Sequence, residues 1–135
     1  MAGQAWHWMD PAAASAEIGR VLRPGGSLAM AWNTEKDDSD LCAEIEAVQP
    51  TDRGRALADG RLPQPPLGEV EVEFFRWKRR VLTKDFIEQR TTHSAWMIAA
   101  DDERAERWAR WQRIAASAPE VIMVGYETEV WRCRR

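Results

Sequence analysis

Lysine is scarce in this chain of 135 residues, three against sixteen arginines, and cysteine scarcer still. Cys42 and Cys133 are too far apart in sequence for a close-spaced ligand pair and too few for a disulfide framework. Thiols in a reducing, cytoplasmic setting are the simplest expectation. No apolar run approaches the roughly 18 residues that span a bilayer. The first residues also lack the basic stretch and apolar core of a secretory signal, so no membrane partner is expected. The net charge of −3 argues against a nucleic-acid partner. There are two histidines, and His93 has no partner at ligand spacing, which argues against a metal site. The eight glycines include no Gly-x-Gly pair following a strand. That excludes from this chain the loop by which a backbone approaches a bound cofactor closely. Tryptophan, by contrast, is abundant, with eight residues. The length suits one domain at most, with a modest core.

Asp10-Pro11 predicts a helix start, because Asp caps free N–H groups and Pro at the first helical position loses no intrahelical bond. Ala14, Ile18, Val21 and Leu22 then recur at helical spacing. Pro24-Gly25 fits a type II turn with Gly25 at positive φ. Residues 27–32 are apolar on both faces, as in a strand covered on two sides. The chain is polar from Thr34 to Asp40 and reads as loop. Leu41, Ile45 and Val48 suggest a short helix, and the prolines and glycines from Pro50 to Gly68 suggest loop again. Glu69 to Phe74 alternates strictly, and the phase slips at Phe75, where a bulge is expected. Thr83 can cap a helix carrying Phe86, Ile87 and Arg90. Asp101 or Asp102 opens a longer helix with Ala105, Trp108, Trp111 and Ala115 on one face. A last strand follows near residues 121–132 and is expected to lie between the other two long strands.

Gly3-Gln4-Ala5-Trp6-His7-Trp8-Met9-Asp10, then Leu22-Arg23-Pro24-Gly25-Gly26, then Leu28-Ala29-Met30-Ala31-Trp32-Asn33 carry a resemblance. Together they resemble the second half of a class I S-adenosylmethionine-dependent methyltransferase, entered at its fourth strand. The resemblance covers nearly the whole chain. It implies an α/β fold: a partial Rossmann-like sheet of a fourth-strand stub and strands five, six and seven, flanked by helices. The last strand would be antiparallel and slotted between the fifth and sixth. It implies one partial domain over 1–135, with 84–117 as a helical substrate cap. It implies S-adenosylmethionine as cofactor and a small-molecule methyl acceptor as partner. The family's glycine-rich loop and its ribose-binding acid belong to the first half, and neither has a counterpart here.

By the same resemblance Gln4, His7 and Trp8 occupy the loop beneath the reacting methyl. Gln4 and Trp8 would then touch the cofactor, and His7 would orient or deprotonate the acceptor. The plainer reading makes His7 a polar loop residue, and Trp6 and Trp8 core or dimer contacts. Asn33, at the carboxyl end of a strand, stands where α/β sheets place ligands, or is a turn residue bonding its own backbone. Trp96 and Trp108, with Met97 and Trp111, would line a substrate pocket or simply form a helix's core stripe. Arg76 to Arg80 reads as a solvated strand face. Two functions stay open: a small-molecule methyltransferase, whole or completed by a partner, and a truncated or split half-domain inactive alone. Another doubly wound fold, such as a nicotinamide-dependent oxidoreductase, fits the Arg-Pro-Gly-Gly turn and the closing strand poorly. The fourth strand, a stub at Met1 to Ala5, leaves a sheet edge expected to take a missing N-terminal half or a second copy.

Overall fold

The computed structural model describes residues 1–36, 39–49 and 61–135. In chain order it contains β1 (Ala2–Gly3), a 3-10 turn (Trp6–Trp8), α1 (Pro11–Val21), β2 (Ser27–Glu35) and α2 (Asp40–Val48). There follow β3 (Glu71–Leu82), α3 (Thr83–Arg90), α4 (Ser94–Met97), α5 (Asp101–Ser117) and β4 (Val121–Arg134). The four strands form one sheet in the order β1-β2-β4-β3. β1 is parallel to β2, with Ala2 opposite Met30 and Gly3 opposite Ala31. Backbone bonds from Arg135 to Gly26 and from Lys36 to Gly125 make β4 antiparallel to β2. Bonds from Thr83 to Glu120 and from Gly68 to Arg134 make it antiparallel to β3 as well. The architecture is the expected α/β one, with the last strand antiparallel between the other two long strands.

The local chemistry explains most boundaries. Asp10 Oδ1 accepts from the Ala13 N–H at 2.7 Å, and Pro11 opens α1. Gly25 has φ +75°, and the Gly26 N–H closes the turn on the Arg23 carbonyl at 2.8 Å. β2 runs through Thr34 and Glu35, which the polar composition assigned to loop, because pairing with β4 continues to Lys36. Thr83 is helical and not a cap: the cap position is Leu82, and the Thr83 hydroxyl donates to the Pro119 carbonyl. The bonds from Gly68 to Arg134 and from Thr83 to Glu120 enclose one residue more on the β3 side than on the β4 side, so an extra residue of the bulge type lies within that span, which includes Phe75. Val70 packs against the cluster that contains Leu67, Trp131 and Cys133, and Arg76 pairs with Glu127. Residues 71–80 are all exposed, so no core imposes a periodicity on them. Most of the expected loop from Pro50 to Gly68 lies outside the described residues.

The chain forms two units. One comprises residues 1–34, the described part up to Trp77, and 127–135. Its core is Trp6, Leu28, Met30, Leu67, Trp131 and Cys133, with Ala14, Ile18, Leu22, Trp32 and Val70 packed against it. Its buried polar atoms are paired: the Trp6 indole donates to the Arg61 carbonyl at 2.7 Å, and the Ser15 hydroxyl accepts from the Gln64 N–H at 2.9 Å. The other unit comprises the described residues of 35–49 together with 78–126. Cys42, Ile45, Val48, Phe86, Ile87, Trp111, Ile114, Ile122, Val124 and Tyr126 form its core. Burying each large side chain contributes about 1.5–3 kcal/mol, which is what sets α2 and α3 against α5. On α5 the buried residues are Trp111 and Ile114, while Ala105, expected on the same face, is exposed.

Candidate functional site

Parallel pairing places the carboxyl ends of β1 and β2 side by side, the end at which α/β sheets hold ligands. Gln4 follows β1 with φ +52°, an uncommon conformation for a residue with a side chain. Two bonds hold it there: its N–H donates to the Ala31 carbonyl at 2.9 Å, and its side-chain Nε2 to the Asn33 carbonyl at 3.2 Å. The turn that follows buries Trp6, leaves His7 half-buried and leaves Trp8 73% exposed. Of the two tryptophans, then, Trp6 is the core residue and Trp8 stands in solvent.

His7 is held on three sides. Its Nδ1 accepts from the Trp32 indole Nε1 at 3.4 Å, its carbonyl accepts from Arg61 at 2.8 Å, and its ring lies 4.9 Å from that of Trp8. With Nδ1 accepting, the ring proton of the neutral imidazole sits on Nε2. In this geometry His7 offers a donor, suited to orienting an acceptor atom rather than to taking a proton from it. Asn33 is fixed from β4: its Oδ1 accepts from the Thr128 hydroxyl at 2.7 Å, and Thr128 in turn accepts from the Trp77 indole at 2.8 Å. That chain turns the Asn33 amide so that Nδ2 is the group left to donate elsewhere.

Gln4, His7 and Asn33 thus lie at one end of the first unit, with Trp8 beside His7, but alternation along β2 turns the Asn33 side chain to the face opposite Trp32, to which His7 is bonded. Trp96 and Trp108 belong to the second unit. There the Trp96 ring stacks on Trp111 at 5.5 Å and meets Trp108 edge-on at 6.4 Å, and both lean on the core. Met97 is exposed. Sequence reasoning missed Trp32, Thr128 and Arg61 as supports of the site. Their contacts span 25 to 95 residues along the chain, and no local pattern encodes them.

It also missed the buried charge of the second unit. Arg90 is 2% exposed, bonded through NH2 to Glu35, 3.6 Å from Glu46 through NH1, and 4.5 Å above the Phe86 ring. The one available signal was its place among Phe86 and Ile87 on an apolar helix face. His93 Nδ1 is buried with no hydrogen-bond partner among the described residues. Burial, and next the charge of Arg90, hold the His93 imidazole below its ordinary value of 6.5. Burial, then Glu35, push the Tyr126 phenol up. Among the described residues no group of His, Cys, Asp or Glu is arranged to hold a metal ion. Among them, too, no helix is long and apolar enough to cross a membrane.

Among the described residues no backbone cradle is found for the cofactor that the resemblance implies. Gly3 is the glycine at the carboxyl end of β1, and a Cβ added to it would meet nothing within 4 Å. No close backbone approach is built there.

No model of a known protein family matches the chain. It is 29% identical over 119 residues to uncharacterized methyltransferases of Mycobacterium bovis and Mycobacterium tuberculosis. The match covers 88% of this chain and 49% of theirs, so the chain spans about half the length of these relatives. Among solved structures it resembles one from Anaeromyxobacter dehalogenans that bears the name type II methyltransferase. The TM-score is 0.64 at 23% identity, covering 98% of this chain and 62% of that one. That likeness is one of fold.

Proposed function

We propose that this chain is the acceptor-facing second half of a cytoplasmic S-adenosylmethionine-dependent methyltransferase domain acting on a small molecule. The observation that carries the reading is the sheet, with β1 parallel to β2 and β4 antiparallel between β2 and β3. Gln4, His7 and Asn33 stand near the carboxyl ends of β1 and β2, which supports the reading, and the curated relatives that match the chain are named methyltransferases. In this reading the His7 Nε2–H and Asn33 Nδ2 orient the acceptor, and Gln4 and Trp8 border the donor. Residues 84–117, with Trp96 and Trp108, form the cap. The bound donor supplies an electrophilic methyl group, and the protein contributes positioning. The open side of β1 would pair with the strand of the missing half.

The absent cradle favours a second reading, a half-domain inactive by itself. One experiment separates the two. The chain is extended by whatever coding sequence lies in frame upstream of Met1, and methyl transfer from labelled donor to a panel of small acceptors is measured. We expect the extension to carry a Gly-x-Gly loop and to confer transfer. In that enzyme His7→Ala should lower turnover with donor affinity little changed, whereas His93→Ala should leave turnover unchanged. An extension without such a loop, and without transfer, establishes the second reading. Equal and small effects of the two histidine variants return His7 to a packing role.

A further inference from the structure

Residues 71–80 of β3 are exposed throughout, and among them Val72 (42%), Phe74 (56%), Phe75 (48%) and Trp77 (39%) are large and apolar. β3 is the last strand of the sheet among the described residues. An edge strand of twelve residues without proline or glycine is a template for another strand. The backbone bond from Thr83 to Glu120 and the Arg76–Glu127 pair share one register. In that register the odd-numbered residues from Trp77 to Thr83 bond β4, and the N–H and C=O groups of Arg76 and Lys78 point away from it.

We infer that this edge pairs antiparallel with β3 of a second copy, about a two-fold axis at Phe75. A two-fold axis preserves the faces of the sheet, so only registers that join residues of like parity are allowed. Pairing in parallel would stack Glu71 on Glu71 and Arg79 on Arg79. The antiparallel register centred on Phe75 does the opposite. On one face it sets Phe75 against Phe75, Glu73 against Trp77 and Glu71 against Arg79. On the other it sets Phe74 against Arg76 and Val72 against Lys78. No like charges oppose, and each exposed apolar residue gains a cross-strand neighbour, the unit of sheet stabilisation. The register centred on Arg76 would instead oppose two arginines. The partner is therefore a second copy of this chain, joined through an edge distinct from that of β1.

Light scattering of the chain across concentrations tests this, with charge swaps as the decisive arm. Glu71→Arg opposes two arginines at both ends of the interface, and Arg79→Glu opposes two glutamates. Each alone should weaken the dimer roughly tenfold or more, and an equimolar mixture of the two should restore it as a heterodimer. Arg79 also touches Gln89 and Tyr126, so its variant is checked by circular dichroism for folding. Should that variant not fold, Lys78→Pro decides: it removes an N–H directed away from β4 and should yield a folded monomer. A chain that stays monomeric at all concentrations overturns the proposal. So does a dimer that survives the substitutions, or a mixture that fails to re-form one.

Discussion

Arg90 shows what a single buried charge costs and requires. Its guanidinium is withdrawn from water, and Glu35, Glu46 and the Phe86 ring replace the lost hydration. Removing it strands two largely buried carboxylates, so Arg90→Met should destabilise the chain by about 3–5 kcal/mol in urea unfolding. The double variant Arg90→Met/Glu35→Gln should lose less than the sum of the single losses. A loss no larger than a surface pair gives, below about 1 kcal/mol, would show the cluster to be solvated. His93 supplies a pH test. Its folded pKa lies below the unfolded value of 6.5, so the unfolded state binds the proton more readily. Its contribution is present above pH 6.5 and is lost as the pH falls from there through the lower folded pKa. Unfolding measured at about pH 8 and about pH 5 should show a decline that His93→Gln reduces. A decline of the same size in that variant assigns the effect to other groups.

At the scale of elements, α1 illustrates how packing overrides propensity. Gly19 is buried in its last turns, and alanine there would gain about 1 kcal/mol of helix propensity. The added Cβ, however, would stand 2.3 Å from Pro66 Cγ, closer than atoms can approach without movement. Overpacking of this kind costs about 1–3 kcal/mol, so Gly19→Ala should lower the thermal midpoint. A raised midpoint would mean that the Pro66 segment yields freely. At the other end of the helix Asp10→Ala should cost about 1 kcal/mol through loss of the cap to Ala13. β3 makes the complementary point: where neither face is covered, nothing selects an apolar period, and the alternation of its sequence breaks without a break in the strand.

At the scale of the whole molecule, no backbone cradle for the implied cofactor is built among the described residues. The chain alone should therefore show no saturable S-adenosylmethionine binding in the micromolar range by calorimetry. Clear binding would mean that Gln4, His7 and Trp8 suffice without close backbone approach. The sequence by itself determined the elements whose causes are local. Asp10-Pro11 started α1, Pro24-Gly25 turned the chain into β2, and the apolar run of residues 27–32 declared a strand, though only Leu28 and Met30, on one face, are buried, and the other face stays half-exposed. The family resemblance brought Gln4 and His7 into view, and Asn33 followed from its place at the carboxyl end of a strand. Only the tertiary structure decided what each does. Trp32 chose the tautomer of His7, Thr128 fixed the amide of Asn33, and β4 drew Glu35 out of an expected loop. Glu35 and Glu46 made Arg90 a core residue. Each of these depends on atoms brought together from distant positions, and hydrogen bonds between such positions leave no period or motif along the chain.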